Sequence, residues 1–299
     1  MALRVGFIGF GEAARVFASG LKGTGSVAAF CRGPRHAPPY AAEFREAAAR
    51  LGVQLVDTVE ALARQADVLF SAVAPGAAAA VASETAAFLR PGQIFADINA
   101  VSPAAKEAIA AAVAATGARF VDAELMGAAS LYGAAVPLYV SGSGADEFKR
   151  LFAPLGLNVT LVPGRPGAAA ALKMLRSVVT KGMEALIVEA MFAAFRAGVA
   201  REAFTAITEP MDAVKFSDFA RMCLTSDPIH AGRRAEEMTS VSEVIRELGL
   251  EPIMVEATRR RLAWSARLTG SQAADSPAIT DYLEVLRLYD RLDRAGQRR

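Results

Sequence analysis

The chain has 299 residues, 53% of them hydrophobic, and its 33 basic and 31 acidic side chains leave a formal net charge of +2. That length accommodates two domains, and the near balance of charge gives no electrostatic basis for a nucleic-acid or membrane-surface partner. Two cysteines, Cys31 and Cys223, and two histidines, His36 and His230, fall in no metal or disulfide spacing, so no metal site is expected. The opening MALRVGFIGFG lacks the apolar core of a signal peptide, and the uncharged run 125–145 is broken by Gly, Ser and Pro. A cytoplasmic protein is expected.

Residues 3–8, LRVGFI, read as a buried central strand. Gly9-Phe10-Gly11-Glu12-Ala13-Ala14 follows, and then a helical pattern. In this dinucleotide-binding spacing the first glycine permits a tight turn and Gly11 lets backbone approach a pyrophosphate. Ala14 lets the helix pack close to the strand, and the helix N-terminus offers unpaired N–H groups to the phosphates. A second strand at 27–30 leads to Cys31-Arg32-Gly33-Pro34-Arg35, with no acid before Glu43. NAD binders place a carboxylate here for the ribose hydroxyl and NADP binders an arginine, so Arg32 and Arg35 favour NADP(H) over NAD(H), unless they are only a solvated loop.

Strands at 53–56, 68–73, 94–98 and 119–122 then alternate with helices, which predicts a doubly wound parallel sheet. Ligands bind beyond the carboxyl ends of such strands, where Val73, Ala74, Pro75 and Asn99 lie. The loop 122–142 holds Glu124, Met126, Gly127 and Ala128, and reads either as backbone N–H groups presented to an anionic substrate or as an ordinary hairpin. A strand at 158–162 and the turn Gly164-Arg165-Pro166-Gly167 close a first domain, 1–165.

The second domain, 166–299, is predicted to be all helical. Residues 167–197 form one long interdomain helix, apolar on nearly every side, as suits a helix covered by protein on most sides. On it Lys173 shares a side with Ser177, Thr180 and Glu184; the lysine pairs with Glu184, reaches solvent, or lines a site. Asp227-Pro228 predicts the cap and first turn of a helix stopped by Gly249. His230, Arg233, Arg234 and Glu237 form one polar stripe on it, either solvated or holding a carboxylate or phosphate. A last helix is predicted from Ser276-Pro277 to about residue 292.

With GFIGFGEAA, DINAVSP, DAELMGA and GRPGAAAALKMLRS placed, the chain resembles the β-hydroxyacid dehydrogenase family over residues 3 to about 200. That family includes 3-hydroxyisobutyrate and 6-phosphogluconate dehydrogenases and is related to the imine reductases. SVVTKGMEAL and HAGRRAEEM are similar to a phosphogluconate-dehydrogenase-like branch. The family's catalytic lysine stands nine residues after the first glycine of its turn, as Lys173 follows Gly164. The resemblance implies Lys173 as general acid/base, a small-molecule substrate bearing a carboxylate, and a homodimer built on the long helix. Ser177 stands where the family has Asn, Met126 where it has a substrate-binding serine, and Asp97-Ile98-Asn99-Ala100 where it has D-x-S-T. These departures imply the same reaction type on another substrate. An imine reductase and a non-catalytic NADPH-sensing protein are the alternatives.

Overall fold

The computed structural model describes residues 2–23, 25–33, 36–127, 129–270 and 279–297. The chain divides into two compact units, Met1–Ser177 and Val178–Arg299. In the first, strands and helices alternate: β1 (Leu3–Ile8), α1 (Glu12–Gly20), β2 (Gly25–Phe30), α2 (Ala42–Arg50), β3 (Val53–Leu55), α3 (Val59–Gln65), β4 (Val68–Ser71), α4 (Ala78–Ala86), β5 (Ile94–Asp97) and α5 (Pro103–Ala114). There follow β6 (Arg119–Leu125), α6 (Ala129–Tyr132), β7 (Leu138–Ser141), α7 (Ala145–Phe152), β8 (Val159–Leu161) and α8 (Ala168–Arg196), which runs on into the second unit.

The strands form one sheet in the order β3-β2-β1-β4-β5-β6-β7-β8. The order reverses between β1 and β4, which opens a crevice at their carboxyl ends. Apolar side chains alternate to both faces, so both are buried. On one face the Phe70 ring lies 5.1 Å from Phe7, 6.0 Å from Phe17, 5.5 Å from Phe148 and 5.3 Å from Phe152. On the other, Leu69, Phe95 and Phe120 pack with Leu62, Ile109 and Val113. Fully burying one such side chain contributes about 1.5–3 kcal/mol, which makes these two layers the main stabilising element of the unit.

A charged cluster sits among these layers. Lys106, on the inner face of α5 with Ile109, Ala110 and Val113, is fully buried. Its Nζ lies 2.8 Å from Asp97 Oδ1, 3.1 Å from Asp122 Oδ1 and 3.1 Å from Glu124 Oε1, and it donates to the Asp97 carbonyl at 2.8 Å. Burial pulls the lysine pKa down, but the three carboxylates outweigh it and hold the ammonium above its ordinary value. This contribution to stability is therefore intact below the ordinary lysine range and lost only as pH rises beyond it.

Asp122 also fastens α8. Its Oδ2 accepts from the Gly167 and Ala170 amides at 3.1 and 3.0 Å and from Ser141 Oγ at 3.1 Å, so a β6 carboxylate satisfies orphan donors of the helix start. Gly167 has φ +94, and a Cβ there would meet the Pro103 carbonyl oxygen at 2.8 Å. Only glycine lets the turn approach α5 this closely.

Two of the expectations need correction. The sheet is not wholly parallel, because β7 returns antiparallel to β6 with Asp122 opposite Ser141; the loop 122–142 is a hairpin carrying α6. The long helix is not covered on most sides within one chain: Leu175, Val178, Val188 and Phe195 are 67%, 70%, 62% and 70% exposed. The first unit takes in α8 as far as Ser177, and the first turns of that helix pack with the sheet through Asp122, Ala169 and Ala170.

The second unit adds α9 (Ala200–Asp212), α10 (Phe216–Glu247), α11 (Ile253–Thr269) and α12 (Tyr282–Gln297). Asp227-Pro228 does not start a helix; Pro228 lies buried within α10. Its missing N–H is tolerated because packing outweighs the local cost of about 3 kcal/mol. The Asp227 carboxylate, free of capping, accepts from the Tyr289 hydroxyl at 2.6 Å, and Trp264 meets that ring edge-on at 5.9 Å. The helix start expected at Ser276-Pro277 lies outside the described residues. Among the described residues, no helix is long and apolar enough to cross a membrane.

Two stability measurements check this architecture by urea denaturation. Lys106→Met leaves three carboxylates facing one another, and the expected loss at neutral pH is about 3–5 kcal/mol, as for breaking other buried pairs. That loss should shrink in acid as the carboxyls take up protons. Gly9→Ala should be clearly destabilising, by about 1–3 kcal/mol for the backbone strain alone, since φ is +87 and a Cβ would meet the Ala72 carbonyl oxygen at 2.2 Å. Gly11→Ala meets nothing within 4 Å and should leave stability within about 0.5 kcal/mol.

Candidate functional site

Two features converge on the carboxyl edge of the sheet. The first is a cavity of about 870 Å³ over the ends of β1, β2 and β4, lined by Gly9, Phe10, Gly11, Glu12, Arg15 and Val16 on one side. Its far wall carries Cys31, Arg32, His36, Val73, Ala74 and Glu84. The Gly9 amide donates to the Phe30 carbonyl at 2.8 Å, closing the turn, while Ala14 is fully buried where α1 meets the sheet. No side chain caps α1, whose N-cap is Gly11, and the space a Gly11 Cβ would take is open. Uncapped helix amides beside an empty glycine cradle can receive a diphosphate.

Arg15 braces this wall. Its guanidinium lies 5.4 Å from the Phe10 ring centre and 5.6 Å from that of Phe44, and its Nε donates to the Phe10 carbonyl. His36 stacks on the other aromatic partner, Phe44, at 4.3 Å. Cys31 is buried, with its amide donating to the Tyr40 hydroxyl oxygen at 3.1 Å; burial pushes its thiol up to about 11.

Arg32 reaches the cavity but is not free. Its Nη1 and Nη2 donate to the two carboxylate oxygens of Glu84 at 2.8 and 2.6 Å, a bidentate pair across 52 residues. The acid missing from the sequence after β2 is thus delivered by α4. Arg35 lies outside the described residues. Val73 and Ala74 line the cavity, Pro75 opens a short 3-10 turn, and Ala13 is half-buried in α1. Asn99 does not face the cavity: it is 4% exposed and buried behind the wall. Its Nδ2 donates to Ser71 Oγ and Asp97 Oδ2, and its Oδ1 accepts from the Val73 amide at 2.7 Å. It positions the wall.

The second feature is Lys173. Its Nζ donates to Glu124 Oε2 at 2.8 Å, and its side chain is 29% exposed while Glu124 is 1% exposed. The partner is therefore Glu124 rather than Glu184, brought from 49 residues away. Glu124 bridges Lys173 on one oxygen and Lys106 on the other. Burial raises its pKa, partly offset by the two ammonium groups. Ser177 turns its hydroxyl to the Lys173 carbonyl at 3.0 Å, an i−4 back-bond.

The remaining expected substrate residues belong in part to each unit. Glu124 is buried between its lysines, and Met126 is buried with its amide on the Pro137 carbonyl at 2.8 Å. Gly127 backs onto Tyr132, whose ring a Cβ would meet at 2.9 Å, and Ala128 lies outside the described residues. In the second unit His230 is exposed on α10, Arg233 pairs with Glu237 one turn on, and Arg234 donates to Ser226 Oγ at 3.0 Å. The two arginines thus make no joint fork for an anion.

Sequence reasoning missed Lys106 and Glu84. Lys106 carried a signal, since it lies on the apolar i, i+3, i+4, i+7 stripe of α5, where a lysine needs a buried partner. Glu84 carried none, because its neighbour is defined only by the packing of α4.

A family described as NADP oxidoreductase coenzyme F420-dependent matches residues 4–101, and a domain of unknown function, DUF1932, matches residues 194–265. A solved conserved hypothetical protein from Sinorhizobium meliloti 1021 is 34% identical, covering 98% of this chain and 97% of its own, with a TM-score of 0.63. The conserved protein MTH1747, of unknown function and described as structurally similar to 3-hydroxyacid dehydrogenases, is 33% identical over 89% of this chain and 97% of its own, with a TM-score of 0.61. An imine reductase variant from Myxococcus stipitatus is 18% identical, covers 96% of this chain and 100% of its own, and shares the fold with a TM-score of 0.75. The glycine turn, the sheet order and the relatives above 30% identity agree, and the chain belongs to the 3-hydroxyacid dehydrogenase-like family.

Proposed function

We propose that this chain is an NADP-dependent oxidoreductase acting on a 3-hydroxy acid, with Lys173 as its general acid/base. The observation that carries the reading is the Lys173 ammonium, held at the sheet's carboxyl edge by a buried carboxylate yet still partly open. Gly9, Gly11 and the first amides of α1 would hold the diphosphate, with Arg32 toward the ribose phosphate. The nicotinamide, when bound, supplies hydride exchange with the substrate carbon.

Lys173 exchanges the proton at the substrate oxygen. Glu124 fixes the direction of its amine, and Lys106 keeps Glu124 in place. Support for the cofactor also comes from relatives of the same fold, which include imine reductases bound to NADP+ and to NAD+. The retained lysine favours a carbonyl or hydroxyl over a C=N substrate. It also favours an enzyme over a sensor.

The exposed apolar side of α8 supports a homodimer, since surfaces of this kind on single chains are characteristically covered by partners. The near balance of charge supports a cytoplasmic enzyme without a nucleic-acid partner.

A panel of 3-hydroxy acids and imines, followed by NADPH absorbance, tests the activity. Lys173→Ala should lower turnover about 10²–10⁴-fold, the usual worth of a placed proton donor, and leave the NADPH Kd unchanged; an equal turnover would remove the role. Light scattering should give twice the chain mass, falling to a single chain in Phe195→Asp. A wild-type mass of one chain would refute the dimer.

A further inference from the structure

Among the described residues, and besides the buried Cys31, five charged or titratable side chains line the cavity over β1 and β2: Glu12, Arg15, Arg32, His36 and Glu84. Arg15 is committed to the Phe10 carbonyl and two aromatic faces, and His36 to the Phe44 ring. Glu12 lies in the first turn of α1, on the diphosphate side. Among the described residues Arg32 and Glu84 are engaged only with each other, and both are well exposed, at 60% and 37%.

We propose that Arg32 and Glu84 together decide which nicotinamide dinucleotide this cavity prefers, with Glu84 acting against the phosphorylated form. This rests on the dinucleotide reading above. The pair is end-on, with both Nη atoms on both carboxylate oxygens. A ribose phosphate wants that same fork of guanidinium donors. To reach it the phosphate must displace Glu84, and the displaced carboxylate then stands beside a dianion.

The unphosphorylated dinucleotide meets no such conflict. Its ribose hydroxyls are donors, and a carboxylate at this place accepts from them in dinucleotide-binding sheets. Glu84 supplies that acceptor from α4. Because the pair is solvent-exposed it is weak and can open, so the outcome is graded preference rather than exclusion. Arg32 alone would make the cavity selective for the phosphate; with Glu84 opposite, both forms are accommodated.

The test is binding, read by fluorescence of NADPH and NADH on the full chain, with thermal melting to confirm that each variant is folded. Glu84→Gln should tighten NADPH about tenfold, the scale of one charge-assisted contact, and leave NADH equal or weaker. Arg32→Gln should weaken NADPH about tenfold and leave NADH unchanged or tighter. In the double variant the NADPH gain from Glu84→Gln should vanish, because there is no guanidinium left to release. If Glu84→Gln shifts both dinucleotides equally, or neither, the assignment is overturned while the dinucleotide reading stands. If wild type binds neither, both fall together.

Discussion

The buried ammonium of Lys106 is the constraint on which the carboxyl edge of the sheet depends. Three buried carboxylates from two adjacent strands could not share one site without a cation between them. Each carboxylate then has a second task. Asp97 holds Asn99, which holds the Val73 amide at the cavity wall; Asp122 holds the start of α8; Glu124 holds Lys173. One hydrogen-bonded chain thus runs from the cavity wall to the proposed acid/base.

Much of the fold was legible because it follows from local rules. LRVGFI followed by small residues at fixed offsets admits few structures other than a strand, a tight turn and a close-packed helix. Alternating apolar runs then dictated a doubly wound sheet. The antiparallel β7 was one of two readings of 122–142, because the choice between loop and hairpin is made by pairing with β6, not by local composition. Pro228 misled for the opposite reason: its local preference is real, but it is buried, Thr269 donates to its carbonyl and Tyr289 to its neighbour Asp227, and tertiary packing decides.

The site was legible where a side chain's role is set by its own element. The glycine turn is of that kind, whereas the partner of Lys173 comes from β6 and not from its own helix. Residues whose role depends on a distant partner were not, so Arg32 could be read as a phosphate ligand while Glu84 stayed invisible. Asn99 was placed at the correct edge yet one layer too shallow, since strand position does not reveal whether an amide faces the cavity or the wall behind it. The polar stripe on α10 was correctly spaced, but each arginine is satisfied by its own helix.

Cys31 lines the cavity, and its thiol is held up to about 11 by burial. Thiolate, the nucleophilic form that attacks peroxides and electrophiles, is thereby kept scarce at neutral pH. A reactive sulfur in the wall of the proposed dinucleotide cavity would otherwise be a liability under oxidative stress. Here the same apolar packing that shapes the wall also leaves that sulfur chemically quiet.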